Sequence, residues 1–245
     1  MNGNGVIAGT WRWFTDSAHW SGPDGVPQRL FEHLQLVAVS VGIAAAIALP
    51  IALVLGHYRR GGIVAVNVSN VGRAIPTFAV LVLLAVTPGI GVGTTAAVIA
   101  LVVFAVPPIL TNAYVGMAGV DRDVVESARG MGMTGWQQLR GVEVPLALPL
   151  IAAGLRTAAV QVVATATLAA LVAGGGLGRF IVDGLGQQDT PMVFAGAILV
   201  AVFAMVTEVS LGLLQKRLTP GARAVAVPAG GSAPAQPELA GATSR

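Results

Sequence analysis

Long apolar runs alternate along the chain with short polar segments. Five runs stand out, at residues 34–56, 63–86, 94–117, 146–172 and 192–214. Each reaches the length of about 20 residues that spans the hydrocarbon of a bilayer at a rise of about 1.5 Å per residue. Inside a bilayer the backbone must satisfy its own polar groups, so such runs are read as helices. The first and third carry no charged residue; the second holds Arg73, the fourth Arg156 and the fifth Glu208. The second is also interrupted, because Asn67, Asn70, Arg73 and Pro76 make its first half polar. It reads as a broken helix, or as a short helix followed by a span. The pattern predicts an all-α integral membrane protein with about five transmembrane helices. No internal repeat of the kind that marks a solenoid is visible.

Composition agrees with this pattern. Hydrophobic residues make up 55% of the 245 residues and charged residues only 10%, against about 25% charged in soluble domains. Mean hydropathy is +0.78. With no cysteine, the chain has no disulfide or thiolate site, and His19, His33 and His57 lack metal-ligand spacing. We therefore expect no metal and no catalytic residue. The net charge of +3 reflects arginines gathered on one side of a membrane rather than nucleic-acid binding.

That asymmetry sets the orientation. With 118–145 inside, the inner regions hold Arg59, Arg60, Arg122, Arg129, Arg140, Lys216, Arg217, Arg223 and Arg245, and the outer regions only Arg12, Arg29 and Arg179. The positive-inside rule then places the N-terminus outside and the C-terminus in the cytoplasm. Residues 1–33 form an external or interfacial segment whose Trp11, Trp13, Phe14 and Trp20 suit the headgroup level. Residues 34–217 form the transmembrane domain. Residues 218–245, rich in Pro, Gly, Ala and Ser, cannot bury a core and are expected to be a disordered cytoplasmic tail.

The cytoplasmic segment 118–145 contains "ESARGMGMTGWQQLRGVEVP" at 126–145. Asp123 with Glu126 suggests a capping-box start, and Val124, Ala128 and Met131 share one narrow apolar face. Gly132 suits a left-handed helix end. Thr134 with Gln137 opens a second short helix, and Val142–Val144 reads as extended. Pro145 suits the first turn of the next membrane helix. One reading is an ordinary connecting loop. The other is a docking surface that presents Met131, Met133, Trp136 and Leu139 to a partner.

These residues resemble the cytoplasmic motif of permease subunits of bacterial binding-protein-dependent ABC importers: E-A-A, three residues, G, nine residues, I-x-L-P. Here Glu126, Ser127 and Ala128 are followed by Gly132 and then by Val142, Val144 and Pro145 at matching spacings. Ser127 replaces an alanine, and Val142 and Val144 replace isoleucine and leucine. Residues 30–215 further resemble the osmoprotectant branch, which imports glycine betaine, carnitine or choline. The resemblance implies a MetI-like permease fold in the bacterial cytoplasmic (inner) membrane. It implies that Glu126, Ser127, Ala128, Met131, Gly132, Met133, Trp136, Val142 and Pro145 couple to ABC ATPase subunits. It also implies an extracytoplasmic solute-binding protein and a second permease subunit, as homodimer or paralogue.

Other residues suit a path or a packing role. Arg156 lies eleven residues past Pro145, or about 16 Å into the span. There it forms an ion pair in the bundle or lines the path. Arg73 either snorkels to the cytoplasmic face or lines the path. Glu208, nearer the cytoplasmic end of its span, faces the surface or partners an arginine. Asn70, Gln161 and Thr165 bridge helices or line the path. Arg156, Gln161 and Thr165 read as one helical face. "AGGGLGRF" at 173–180 has no following GKS or GKT and is not a nucleotide loop. Its glycines suit a helix end and close backbone packing. Thr190 and Pro191 read as N-cap and first residue of the last helix. The chain is thus expected to bind no cofactor, with ATP and Mg on a partner ATPase. A sister ABC importer for an amino acid or taurine-like solute is the alternative. A secondary transporter is disfavoured because the spans hold no acidic pair.

Overall fold

A computed structural model describes residues 3–62, 67, 72 and 75–218. Asn70, Arg73 and the segment 219–245 lie outside the described residues. The described chain is helical: α1 Gly3–Thr15, α2 Val26–His57, α3 Thr77–Val86, α4 Thr94–Ala118, α5 Arg122–Gly130, α6 Gly135–Gln138, α7 Val144–Thr165, α8 Gly178–Gln187 and α9 Thr190–Leu218. Among the described residues, four helical stretches are long and apolar enough to cross a membrane: Val26–His57, Thr94–Ala118, Gly135–Val172 and Thr190–Leu218. The second apolar run contributes the ten-residue α3 at its C-terminal end.

The centre of the bundle is a three-helix contact of α2, α4 and α7 built from small side chains. Ala44, Ala48 and Ala52 of α2 are fully buried against Ala105, Ile109 and Ala113 of α4 and Ala158, Val162 and Val163 of α7. Apolar burial does not drive helices together inside lipid, so close van der Waals approach must do it. Residues four apart with small side chains let backbones meet. Ser40 and Gly56 extend this stripe by one turn in each direction, from the middle of α2 to its C-terminal end. At Gly56 the approach is so close that a Cβ would stand 2.3 Å from the Cβ of Met117. A neighbouring face of α2, about 100° around the helix, leaves Val39, Ile43, Ile47 and Ile51 exposed. On α9 only Ala195, Gly196 and Val200 are buried. Lipid or another subunit must cover these faces.

The N-terminal region is more ordered than its polar, aromatic sequence indicated. Helix α2 starts at Val26, with Pro27 in its first turn, where a missing N–H costs nothing. Residues 3–15 form a helix of their own packed on α9. Trp11 is exposed as expected, but Trp13 is buried. Its ring stacks on His19 at 4.3 Å and meets the edge of Phe180 at 5.3 Å. An aromatic ring that finds a pocket in its own chain is held there by packing rather than by headgroups.

The glycine run at 174–176 does pack closely, against the start of α2. The N–H of Gly176 donates to Glu32 Oε2 (2.8 Å), and that of Leu177 donates to His33 Nδ1 (3.2 Å). A Cβ at Gly175 would collide with the Glu32 carboxylate at 2.4 Å. The loop borders a half-open cleft of about 790 Å³ lined by Arg29, Glu32, Gln35, Thr94 and Arg179. Its charged groups are already paired: Arg29 with Asp24 and Glu32, and Arg179 with Asp183. The last helix is capped by Asp189, whose Oδ1 accepts from the Met192 N–H at 3.2 Å. Thr190, expected as the N-cap, is instead the first helical residue.

Candidate docking surface

Helix α5 is short and owes its limits to its caps. Its N-cap is Asp121, whose Oδ1 accepts from the Asp123 N–H at 2.9 Å. The expected Asp123–Glu126 box does not form, because Asp121 takes the first free N–H two residues earlier. The helix ends at Gly132, with φ +84°. The Gly132 N–H donates to the Arg129 carbonyl (2.9 Å) and the Met133 N–H to the Ala128 carbonyl (3.2 Å). These two bonds make a Schellman ending. The capping box at Thr134 then opens α6: Gln137 Oε1 accepts from the Thr134 N–H (2.7 Å), and Thr134 Oγ1 accepts from the Gln137 N–H. Buried Gln138 donates to the Met133 carbonyl at 2.8 Å and closes the turn from inside. Every bond of this helix–turn–helix is local, so the element is rigid without a core of its own.

The surface it presents is narrower than periodicity suggested. Ala128 is buried, and Val125 and Leu139 pack on the bundle core. The structure therefore removes Ala128 and Leu139 from the presented face, because that side of α5 and α6 is turned toward the membrane helices. Val124, Glu126, Ser127, Met131 and Trp136 remain exposed, Met131 by 77% and Trp136 by 64%. The Arg140 guanidinium lies over the Trp136 ring at 5.3 Å, which fixes the indole in place. Met133 is half-buried, its methyl close to Gly141.

Beyond α6 the chain does not become extended. Residues Leu139–Glu143 form a π turn that runs into α7 without a break. The Val144 N–H reaches back five residues to the Leu139 carbonyl. The wider turn falls just before Pro145, which has no N–H to offer and whose ring crowds an α-helical carbonyl behind it. Pro145 lies in the first turn of α7, as expected, and α7 itself continues a rod that runs from Gly135 to Val172. Half-buried Val142 and exposed Pro145 lie on this rod. Glu143 is buried, and its Oε2 accepts from His57 Nδ1 at 2.5 Å. Sequence reasoning missed this pair. Its one signal was a lone carboxylate between two valines beside a membrane run.

Of the path candidates that can be placed, Arg156 pairs with Glu208 of α9 at 3.4 Å. Thr165 faces a small gap with Thr77, Leu81 and Ala97 on α3 and α4. They do not share a face: nine residues at about 100° each put them on opposite sides of α7. Nor does Thr165 bridge helices, since its hydroxyl donates to the Gln161 carbonyl one turn back at 2.7 Å. Gln161 is partly exposed. Among the described residues no group of His, Cys, Asp or Glu has the geometry of a metal site.

The helical bundle turns a small, locally braced helix pair outward at one end. Residues 39–220 match the family described as binding-protein-dependent transport system inner membrane component. The chain belongs to that family and is a membrane-embedded permease subunit of an ABC importer. It is 39% identical over 221 residues to the carnitine transport permease protein OpuCB of Listeria monocytogenes, covering 90% of this chain and 91% of that one. It is 36% identical to the glycine betaine/carnitine/choline transport system permease protein OpuCB of Bacillus subtilis, covering 77% and 86%. In fold it is similar to the MetNI methionine ABC transporter in an inward-facing conformation, with TM-score 0.68, 23% identity and coverage of 77% and 94%.

Proposed function

We propose that this subunit forms one half of the path for a quaternary-ammonium compatible solute such as glycine betaine, choline or carnitine. The observation that carries the reading is the exposed, locally braced face of Met131 and Trp136, supported by the solutes named for its relatives. The N-terminus faces outward and the 121–140 segment faces the cytoplasm. A second permease subunit, a copy or a paralogue, completes the path. ATP and Mg bind and react on two ATPase chains whose grooves receive the 121–140 segments. Closure of the ATPases moves these segments, α7 carries the movement into the bilayer, and the path opens outward. Solute then enters from an external binding protein. Glu126, Ser127, Gly132, Met133, Val142 and Pro145 shape or flank the docked element.

High-affinity selection falls to the binding protein. A quaternary ammonium cannot accept or donate a hydrogen bond and is held best by aromatic faces. The cleft beside Gly175 is lined by no aromatic ring, and its charges are paired within the chain. Uptake of labelled glycine betaine, choline and carnitine, in a strain lacking its other importers, tests the proposal. Uptake of at least one of them that depends on this chain, on ATP and on a binding protein is the expected result. Uptake of methionine or taurine in their place assigns the chain to a sister importer.

A further inference from the structure

The docking segment joins the membrane bundle covalently at two places, through Val120 to α4 and through the π turn to α7. The end of α2 holds it at both of these places. Arg59, in a left-handed conformation with φ +50°, donates to the Val120 carbonyl at 2.5 Å. His57 donates to Glu143 across 86 residues of sequence. The Glu143 side chain is 4% exposed and that of His57 19%. A carboxylate so buried demands a partner, and removing the partner leaves an uncompensated acceptor. The other side of the His57 ring lies beneath α6, where a Cβ at Gly135 would stand 3.6 Å from Nε2. Just above, Gly56 is wedged against Met117 with no room for adjustment.

The far end of the same helix holds the glycine loop. Glu32 and His33 accept the N–H groups of Gly176 and Leu177, and His33 Nε2 donates to the Val163 carbonyl of α7 at 3.0 Å. Helix α2 therefore touches the docking segment at one end and the loop that borders the charged cleft at the other. Between these ends, the fully buried alanines leave it little freedom to slide.

We propose that His57 and Glu143 form a latch that makes the 120–143 segment and the last turn of α2 one rigid body. Helix α2 is then a transmission rod from the docking surface to the 173–177 loop, alongside α7. His57 and Glu143 are positioning residues in this scheme and touch no solute. The proposal rests on the docking role argued above.

The test uses the complete importer, reconstituted in liposomes with its ATPase and binding protein. His57→Phe keeps a flat ring and removes the donor. The variant complex assembles and hydrolyses ATP, but less solute is imported per ATP, because the docking segment is no longer tied to α2. The exchanged pair His57→Glu with Glu143→His recovers part of that ratio. An unchanged ratio in His57→Phe, or an assembled exchange variant with no recovery, overturns the latch.

A second measurement does not depend on how the variants fold. The chain has no native cysteine, so spin labels can be placed through Arg60→Cys and Gly141→Cys, both at exposed positions. The latch requires the same dipolar coupling between them in nucleotide-free and ATP-bound states. A change between those states overturns it. Unaltered ATPase binding by Trp136→Ala instead counts against the docking role, and the label distance stays informative in that case.

Discussion

Substitution of Gly56 by alanine is expected to destabilise the bundle through one atom. The added Cβ would lie 2.3 Å from the Met117 Cβ and 3.5 Å from its Cα. Carbon atoms rest at about 3.5–4.0 Å, so α2 and α4 must separate locally by about 1.2–1.7 Å, and gaps of that size forfeit much of the dispersion energy. No rotamer relieves the clash, because a Cβ position is set by the backbone. Overpacking of this kind costs about 1–3 kcal/mol. We expect the upper end, because the face being parted carries the fully buried Ala44, Ala48 and Ala52. Equilibrium unfolding in mixed micelles measures the loss. A double-mutant cycle then isolates its cause. Met117→Ala keeps the offending Cβ and relieves little, whereas Met117→Gly removes it and couples favourably to Gly56→Ala by about 1.5 kcal/mol or more. A Gly56→Ala protein within about 0.5 kcal/mol of the parent refutes the reasoning, and so does rescue by Met117→Ala as complete as that by Met117→Gly.

Two further predictions concern the docking turn and the loop clamp. Gly132 has φ +84° with nothing within 4 Å of an added Cβ, so only backbone strain opposes substitution. Asn is tolerated best, Ala costs about 1–2 kcal/mol and Val more, and uptake falls in that order while membrane insertion is unchanged. Equal uptake by Asn, Ala and Val variants would show that the left-handed turn is dispensable. His33→Phe preserves ring volume but leaves the buried Leu177 N–H without its acceptor, a loss of about 1–3 kcal/mol in the same unfolding assay. Faster exchange of the Leu177 amide, detected by hydrogen–deuterium mass spectrometry, accompanies it. Parent-like protection there would mean the clamp is not made.

Features that depend on neighbours within one or two turns were legible from sequence. The apolar runs mark membrane helices because backbone polarity leaves no alternative in lipid. The turn at Gly132 and the box at Thr134–Gln137 follow from the needs of free N–H and C=O groups at helix ends. The glycines at 174–176 announced a close approach, although not to what. Reading Val142–Val144 as extended failed because β-branched residues also fit a helix once packing supports them. Grouping Arg156 with Thr165 failed because spacings of five and four residues accumulate to half a turn.

The sequence by itself therefore determined the solvent, the membrane helices and the family motif with its turn at Gly132 and its box at Thr134. Tertiary structure alone decided which sides those helices turn to one another. That choice buries Ala128 and Leu139, exposes Met131 and Trp136, and joins His57 to Glu143 and Glu32 to Gly176 across 86 and 144 residues. Such pairings are set by the rotation and depth at which close-packed helices fit. Single atoms such as the missing Cβ of Gly56 govern that fit, and the local pattern of apolar and polar positions carries no record of it.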